Sequence, residues 1–138
     1  MADLHNIKLG QLGEKIAADF LIKNGYKIVD RNLHVSRNEI DIIAEDSHFL
    51  VFVEVKTRSV AYEDSSLYGS PGRAVDYKKR SNVVQAAKTY LMTNYTDKQP
   101  RIDVIEVYMK ERGENSISPQ ILHINHIRDA FDNRGRKR

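Results

Sequence analysis

From Ile7 to Asn24 the apolar residues Leu9, Leu12, Ile16, Ala17, Phe20 and Leu21 recur at helical spacing, and Gly25 supplies a C-terminal stop. The spacing predicts a first amphipathic helix. The period then shortens: Tyr26 to Val35 mixes Ile28, Val29, Leu33 and Val35 with polar residues, Ser36-Arg37-Asn38 reads as a turn, and Glu39 to Ala44 follows. Asp46-Ser47 marks a further turn before Phe49 to Thr57. These three segments predict an antiparallel meander whose last strand, apolar on both faces, is central and covered on both sides. Thr57 to Arg73 has no period and is rich in Ser, Gly and Tyr, which predicts a long functional loop. Helical spacing returns from Ala74 to Thr93 through Val83, Val84, Ala87, Tyr90 and Leu91. Arg101 to Tyr108 predicts a strongly apolar strand and Gln120 to Ile127 a weaker one at a sheet edge. The class is α/β, in the order helix, three strands, helix, strand, strand.

At 138 residues the chain suits one domain, which at this size buries roughly two-thirds of its unfolded surface. Residues 1–127 are expected to form it, and 128–138 a basic, flexible C-terminal tail. The chain has no cysteine, so neither a disulfide nor a thiolate metal site is available, and oxygen ligands become the natural metal chemistry. The opening Met1-Ala2-Asp3-Leu4-His5 has no signal-peptide pattern and no apolar run spans a bilayer, so a soluble, cytoplasmic protein without a membrane partner is expected. The formal charge of +3 is mild, and its distribution says more. Arg73, Lys78, Lys79, Arg80 and Lys88 face the single acid Asp76, and Arg128, Arg134, Arg136, Lys137 and Arg138 crowd the end of the chain.

The run Phe49-Leu50-Val51-Phe52-Val53-Glu54-Val55-Lys56 ends with two opposite charges set two residues apart inside a buried strand. An acid-x-lysine match alone carries little, and Asp76-Tyr77-Lys78 is a decoy of that kind. Residues two apart on a strand share a face, however, and a buried charge needs a counter-charge or a metal. The motif by itself leaves two readings open: an ion pair between Glu54 and Lys56, or a site. Asp41, in Ile40-Asp41-Ile42-Ile43 on the neighbouring strand, tips the balance toward a site. Two carboxylates can then converge on one hard cation such as Mg²⁺, while Lys56 supplies a fixed positive charge for the attacking hydroxide or the phosphate. That set suits phosphodiester hydrolysis.

The segments Gly13-Glu14, Glu39-Ile40-Asp41, Val51-Phe52-Val53-Glu54-Val55-Lys56-Thr57-Arg58, Lys79 and Arg101-Ile102-Asp103-Val104 resemble the YraN-type bacterial proteins. That family is placed in the restriction-endonuclease-like superfamily, near the archaeal Holliday-junction resolvases. The resemblance implies a mixed central sheet with helices on both faces. It implies Asp41 and Glu54 as ligands of Mg²⁺ or Mn²⁺, the Val55 carbonyl as a third ligand, and Lys56 as the residue orienting the nucleophile. Glu14 matches the first-helix acid that joins the metal site in the resolvase relatives, although by position alone it reads as a solvated helix glutamate. The family carries glycine where Asn38 stands, and asparagine tolerates positive φ well enough to keep that turn.

Around this centre, Lys79 continues the core-facing stripe of the second helix to its exposed start. It reads either as a phosphate contact or as a lysine whose stem packs while its head stays in water. Arg58, Arg73, Lys78, Lys79 and Arg80 are the candidate nucleic-acid-binding residues. Glu39 reads as a rim carboxylate, Asp103 as structural, and His123 and His126 as pointing to opposite faces of their strand. The expectation is a Mg²⁺- or Mn²⁺-dependent endonuclease acting on branched or damaged DNA, working as a homodimer if junctions are its substrate. Two alternatives stay open: a non-catalytic nucleic-acid-binding or assembly module that keeps the nuclease fold, and a ribonuclease.

Overall fold

A computed structural model describes residues 4–60, 77–110 and 120–138. In chain order it contains α1 (Leu4–Lys23), β1 (Lys27–Val35), β2 (Asn38–Glu45), β3 (Phe49–Val60), α2 (Tyr77–Thr93), β4 (Gln99–Lys110) and β5 (Gln120–Ile127). The five strands form one mixed sheet in the order β1-β2-β3-β4-β5. Neighbours run antiparallel except β3 and β4, which are parallel because α2 lies between them in sequence. The meander, the second apolar strand and the weak edge strand all take the predicted places.

Each strand's alternation serves two cores. Val51 and Val53 of β3 join Ile105, Val107 and Met109 of β4 under Ala17, Ala18 and Leu21 of α1. Leu50 and Phe52 point the other way and join Ile40 and Ile43 of β2 under Ala86 and Ala87 of α2. A strand buried on both faces must be apolar throughout, which is why β3 has no polar alternation until Glu54. The close of α1 follows its sequence signal. Gly25 takes φ +91°, its N–H reaches the Ile22 carbonyl at 3.1 Å, and the Tyr26 N–H reaches the Leu21 carbonyl at 3.0 Å.

Three expectations change. Thr57 to Val60 continues β3 rather than opening a loop, while the rest of the expected loop, Arg73 and the first helical residues Ala74 to Asp76 lie outside the described residues. The positive φ of the β1–β2 turn falls on Ser36, at 58°, and Asn38 already belongs to β2, so the accommodation expected of Asn38 is not called upon. Residues 128–138, expected to be a flexible tail, are held by specific contacts. The Ala130 N–H bonds the Ile102 carbonyl at 2.8 Å, Phe131 is buried and bridges to Lys137, and Asp132 accepts the Arg134 and Arg136 N–H groups. Apolar Ala130 and Phe131 covering Val104 of β4 explain why a basic segment stays docked.

The buried Asp103 anchors this docking. Its two oxygens take Arg101 at 2.8 Å each, His126 at 2.7 Å and the Asp129 N–H at 2.9 Å. Arg101 also reaches the Tyr26 hydroxyl and lies 4.6 Å over the Phe49 ring. One carboxylate thereby ties β4, β5, the entry to β1 and the C-terminal segment together.

Candidate metal centre

The β2–β3 ladder ends at Ile42↔Val53, and the next residue on each strand is an acid, Asp41 and Glu54. Beyond this point the Val55 N–H donates to Asp41 Oδ2 at 2.8 Å, so a carboxylate takes the place of a strand carbonyl where the strands part. Such a substitution satisfies the buried backbone donor and fixes Asp41 in the crevice. Glu14 comes from α1, which can approach β3 closely because Gly13 has no side chain. A Cβ at Gly13 would overlap the Thr57 hydroxyl. Carboxylate oxygens of Glu14, Glu39 and Asp41 all lie within 4.8 Å of one another, a group that could hold a metal ion.

Glu54 stands outside that oxygen group but belongs to the same electrostatic unit. It is 5% exposed; its Oε1 meets Lys79 Nζ of α2 at 3.2 Å, and its Oε2 is buried with no hydrogen-bond partner. Burial and then the neighbouring Asp41 charge push its pKa up to about 8, against the opposing pull of Lys79. Burial raises Asp41 as well, with the Val55 N–H and Lys79 pulling the other way. Glu14 is pushed up to about 7 by burial, then by Asp41 and Glu39. Three carboxyls pushed above their ordinary range mark a place short of positive charge. The donors are all hard carboxylate oxygens, which suits Mg²⁺ or Mn²⁺.

The ion pair between Glu54 and Lys56, the alternative reading of the motif, does not form: Glu54 takes Lys79 instead, and among the described residues Lys56 has no ion pair. Lys56 shares the face of Glu54 on β3, opposite Glu106 of β4. The contact Val55 makes to the centre is through its N–H. Of the basic candidates, Lys78 is exposed, and Arg80 donates from Nε to the Gly135 carbonyl at 2.8 Å and lies over Phe131, within the C-terminal contact. Arg58 turns to Glu106, with Nε 3.4 Å from Oε2. His126 lies against Phe20 and Tyr26 while His123 lies against Tyr108, on opposite faces as expected.

Glu39, which shares a face with Asp41 and reads from the sequence as a rim carboxylate, is a full member of the oxygen group. One residue escaped the sequence reading. Glu106 is 1% exposed inside β4, the same signal of an acid in an apolar strand that singled out Glu54.

Comparison with known proteins adds a family. The model of uncharacterised protein family UPF0102 matches residues 13–107, a span that includes all four acids and Lys56. A UPF0102 protein of Caldanaerobacter subterraneus is 40% identical over 95% of this chain and 100% of its own length. One from Chlorobium phaeobacteroides is 40% identical over 89% of the chain and 92% of its own length. One from Clostridioides difficile is 37% identical over 93% and 100%.

Proposed function

The chain belongs to uncharacterised protein family UPF0102, and from that premise we propose that it is a Mg²⁺- or Mn²⁺-dependent endonuclease that hydrolyses DNA phosphodiesters on a restriction-endonuclease-like sheet. The observation that carries this reading is the buried, partnerless Glu54 Oε2 beside Asp41 at the point where β2 and β3 separate. A buried carboxylate oxygen without a donor is costly unless a cation completes it. Asp41 and Glu54 would hold the ion, with Glu14 and the Val55 carbonyl as further ligands. When bound, such an ion neutralises phosphate charge and lowers the pKa of its water.

The remaining work falls to the chain's own side chains. Lys56 places a fixed positive charge on the same face as Glu54, where charge grows on the phosphate. Lys79 holds Glu54 Oε1, and with its side chain 48% exposed it can turn from the carboxylate to a substrate phosphate. Contacts of this kind grip the backbone without reading bases, which favours branched or damaged DNA over a fixed sequence. Cleaving a junction symmetrically would take two copies about a two-fold axis, so a homodimer belongs to this reading. The Lys79–Glu54 bridge favours one other reading, a non-catalytic nucleic-acid-binding or assembly module in which the charges form an ion-pair network.

Titration calorimetry with Mn²⁺ separates the two. The wild type should bind, Asp41→Ala and Glu54→Ala should each weaken binding by tenfold or more, and Lys56→Ala should abolish cleavage while keeping the metal. A panel of labelled duplex, flap, four-way junction, single-stranded DNA and RNA identifies the substrate. Absence of Mn²⁺ binding by the wild type would sink the catalytic reading, and cleavage confined to RNA would replace DNA by RNA.

A further inference from the structure

Past the start of α2, the face of the sheet that carries Glu54 turns polar. Alternation puts Lys56 and Arg58 on that face of β3, beyond Phe52 and Glu54. Parallel pairing sets Glu106 opposite Lys56 and Tyr108 opposite Arg58, and antiparallel pairing sets Asn125 of β5 opposite Glu106. A single buried acid, 1% exposed, therefore faces two cations.

The bonding of that acid is lopsided. Glu106 Oε1 accepts from Asn125 Nδ2 at 3.0 Å, which fixes the carboxylate. Oε2 takes the Arg58 Nε at 3.4 Å, where a guanidinium fork normally grips a carboxylate with two bonds at shorter range, and the Tyr108 hydroxyl hydrogen-bonds with both side chains. Arg58 Nη2 is left buried without a partner, although 20% of the side chain stays open to solvent. Arg101 shows how the same chain satisfies an arginine when the role is structural: two bonds at 2.8 Å to Asp103 and a third to Tyr26. Arg58 is held by the long Nε contact and by Tyr108, and its Nη2 keeps a donor to spare. It stands four positions along β3 from Glu54, about 13 Å, so the two cannot serve the same phosphate group.

We propose that Arg58 is a phosphate-binding residue for a nucleic-acid strand laid along β3, contacting a phosphate beyond the scissile one, and that Glu106, braced by Asn125, is the positioning residue that holds the guanidinium at that face. The inference rests on the nucleic-acid reading above and deepens it, but it does not need the metal. A phosphate oxygen completes the donors that Glu106 leaves open, and the anion offsets the surplus positive charge that Lys56 and Arg58 leave over Glu106. Rotation about the terminal torsions turns Nη2 outward from a side chain that is already 20% exposed, at the cost of an Nε contact that is long at 3.4 Å.

Arg58→Met alone strands Glu106 without its cation and can unfold the protein. The informative variant is the pair Arg58→Met with Glu106→Gln, which keeps both side-chain lengths, leaves Asn125 an oxygen to bond and changes the net charge by zero. Binding of fluorescein-labelled single-stranded and duplex DNA is measured in EDTA over a salt series starting at about 50 mM. The double variant should lose roughly 0.9 from the slope of log K against log salt, and bind roughly 8-fold more weakly at 0.1 M, the share of one phosphate contact. Glu106→Gln alone should keep the wild-type slope, since Arg58 is still present. Wild-type slope and affinity in a double variant that melts normally would overturn the proposal, and so would a wild type that binds neither DNA. The nuclease reading fails on a different measurement, Mn²⁺ calorimetry, which the Arg58 and Glu106 changes should leave untouched.

Discussion

Asp103 and Glu54 are both acids buried in adjacent central strands, and each has a basic residue two positions away, Arg101 before the one and Lys56 after the other. Their fates differ. Asp103 pairs with its neighbour Arg101 and collects further bonds from His126 and the Asp129 N–H. Burial pushes its pKa up, but these bonds outweigh it and hold the carboxyl below its ordinary range. Glu54 ignores Lys56, takes one contact from a half-exposed lysine, keeps one oxygen partnerless and is pushed up to about 8. A buried charge whose bonds are complete holds a fold together, whereas one left short of positive charge is a candidate place for a ligand.

The sharpest way to break this contrast is to remove each acid in the metal-free protein. Asp103→Ala should cost about 3–5 kcal/mol in denaturant unfolding, because Arg101 and His126 are left facing a hole. A cost below about 1 kcal/mol would show that the Asp103 network is not structural. Gly13→Ala should cost about 1–3 kcal/mol, since its Cβ meets the Thr57 hydroxyl, and it should also weaken Mn²⁺ binding by displacing Glu14. Thr57→Ala in that background should recover part of both losses, and no recovery would remove the close approach as the cause.

Glu54→Gln should do the opposite of Asp103→Ala. A carboxyl whose folded pKa is raised contributes stability that is fully present below its unfolded value, near 4.5, and lost as pH climbs through the folded value. Metal-free protein should therefore lose stability between about pH 5 and pH 8, through Glu14 near 7 and Glu54 near 8. Glu54→Gln should flatten that slope and stabilise by about 1–2 kcal/mol at pH 8. Asp103 runs with the reverse sign: its contribution is present above its ordinary pKa of 3.8 and lost as pH falls below it. Melting temperatures across pH 3–9 for the wild type and both variants test the two signs together. The smallest effect belongs to Lys79→Met, no more than about 1 kcal/mol at pH 8 because the lysine is half exposed and screened. An effect as large as that of Asp103→Ala would mean that the Glu54 bridge is structural after all.

No helix among the described residues is long and apolar enough to cross a membrane, in keeping with the hydropathy of the chain. The order of elements, the two-faced burial of β3 and the edge position of β5 were all legible because period and apolar density are local properties of a sequence. So were Asp41, Glu54 and Lys56 as oddities, since a charge inside an apolar strand conflicts with its surroundings wherever that strand is placed. Partner choice was not legible. Glu54 pairs across 25 residues with Lys79 rather than with Lys56, Arg58 turns to Glu106 on the next strand, and Arg80 turns to the C-terminal segment.

What the sequence by itself determined about this protein is which residues stand out chemically and which strands they interrupt. Only the tertiary structure decided which acid is completed and which is left wanting. Arg101-Ile102-Asp103 and Glu54-Val55-Lys56 carry the same kind of spacing, and nothing local separates them. The difference arises because β5 and the C-terminal segment bring a histidine and a backbone N–H to Asp103, while the parting of β2 and β3 brings Glu54 little besides Asp41 and a lysine. Electrostatic satisfaction depends on every group that converges in space, and that convergence is a property of the fold.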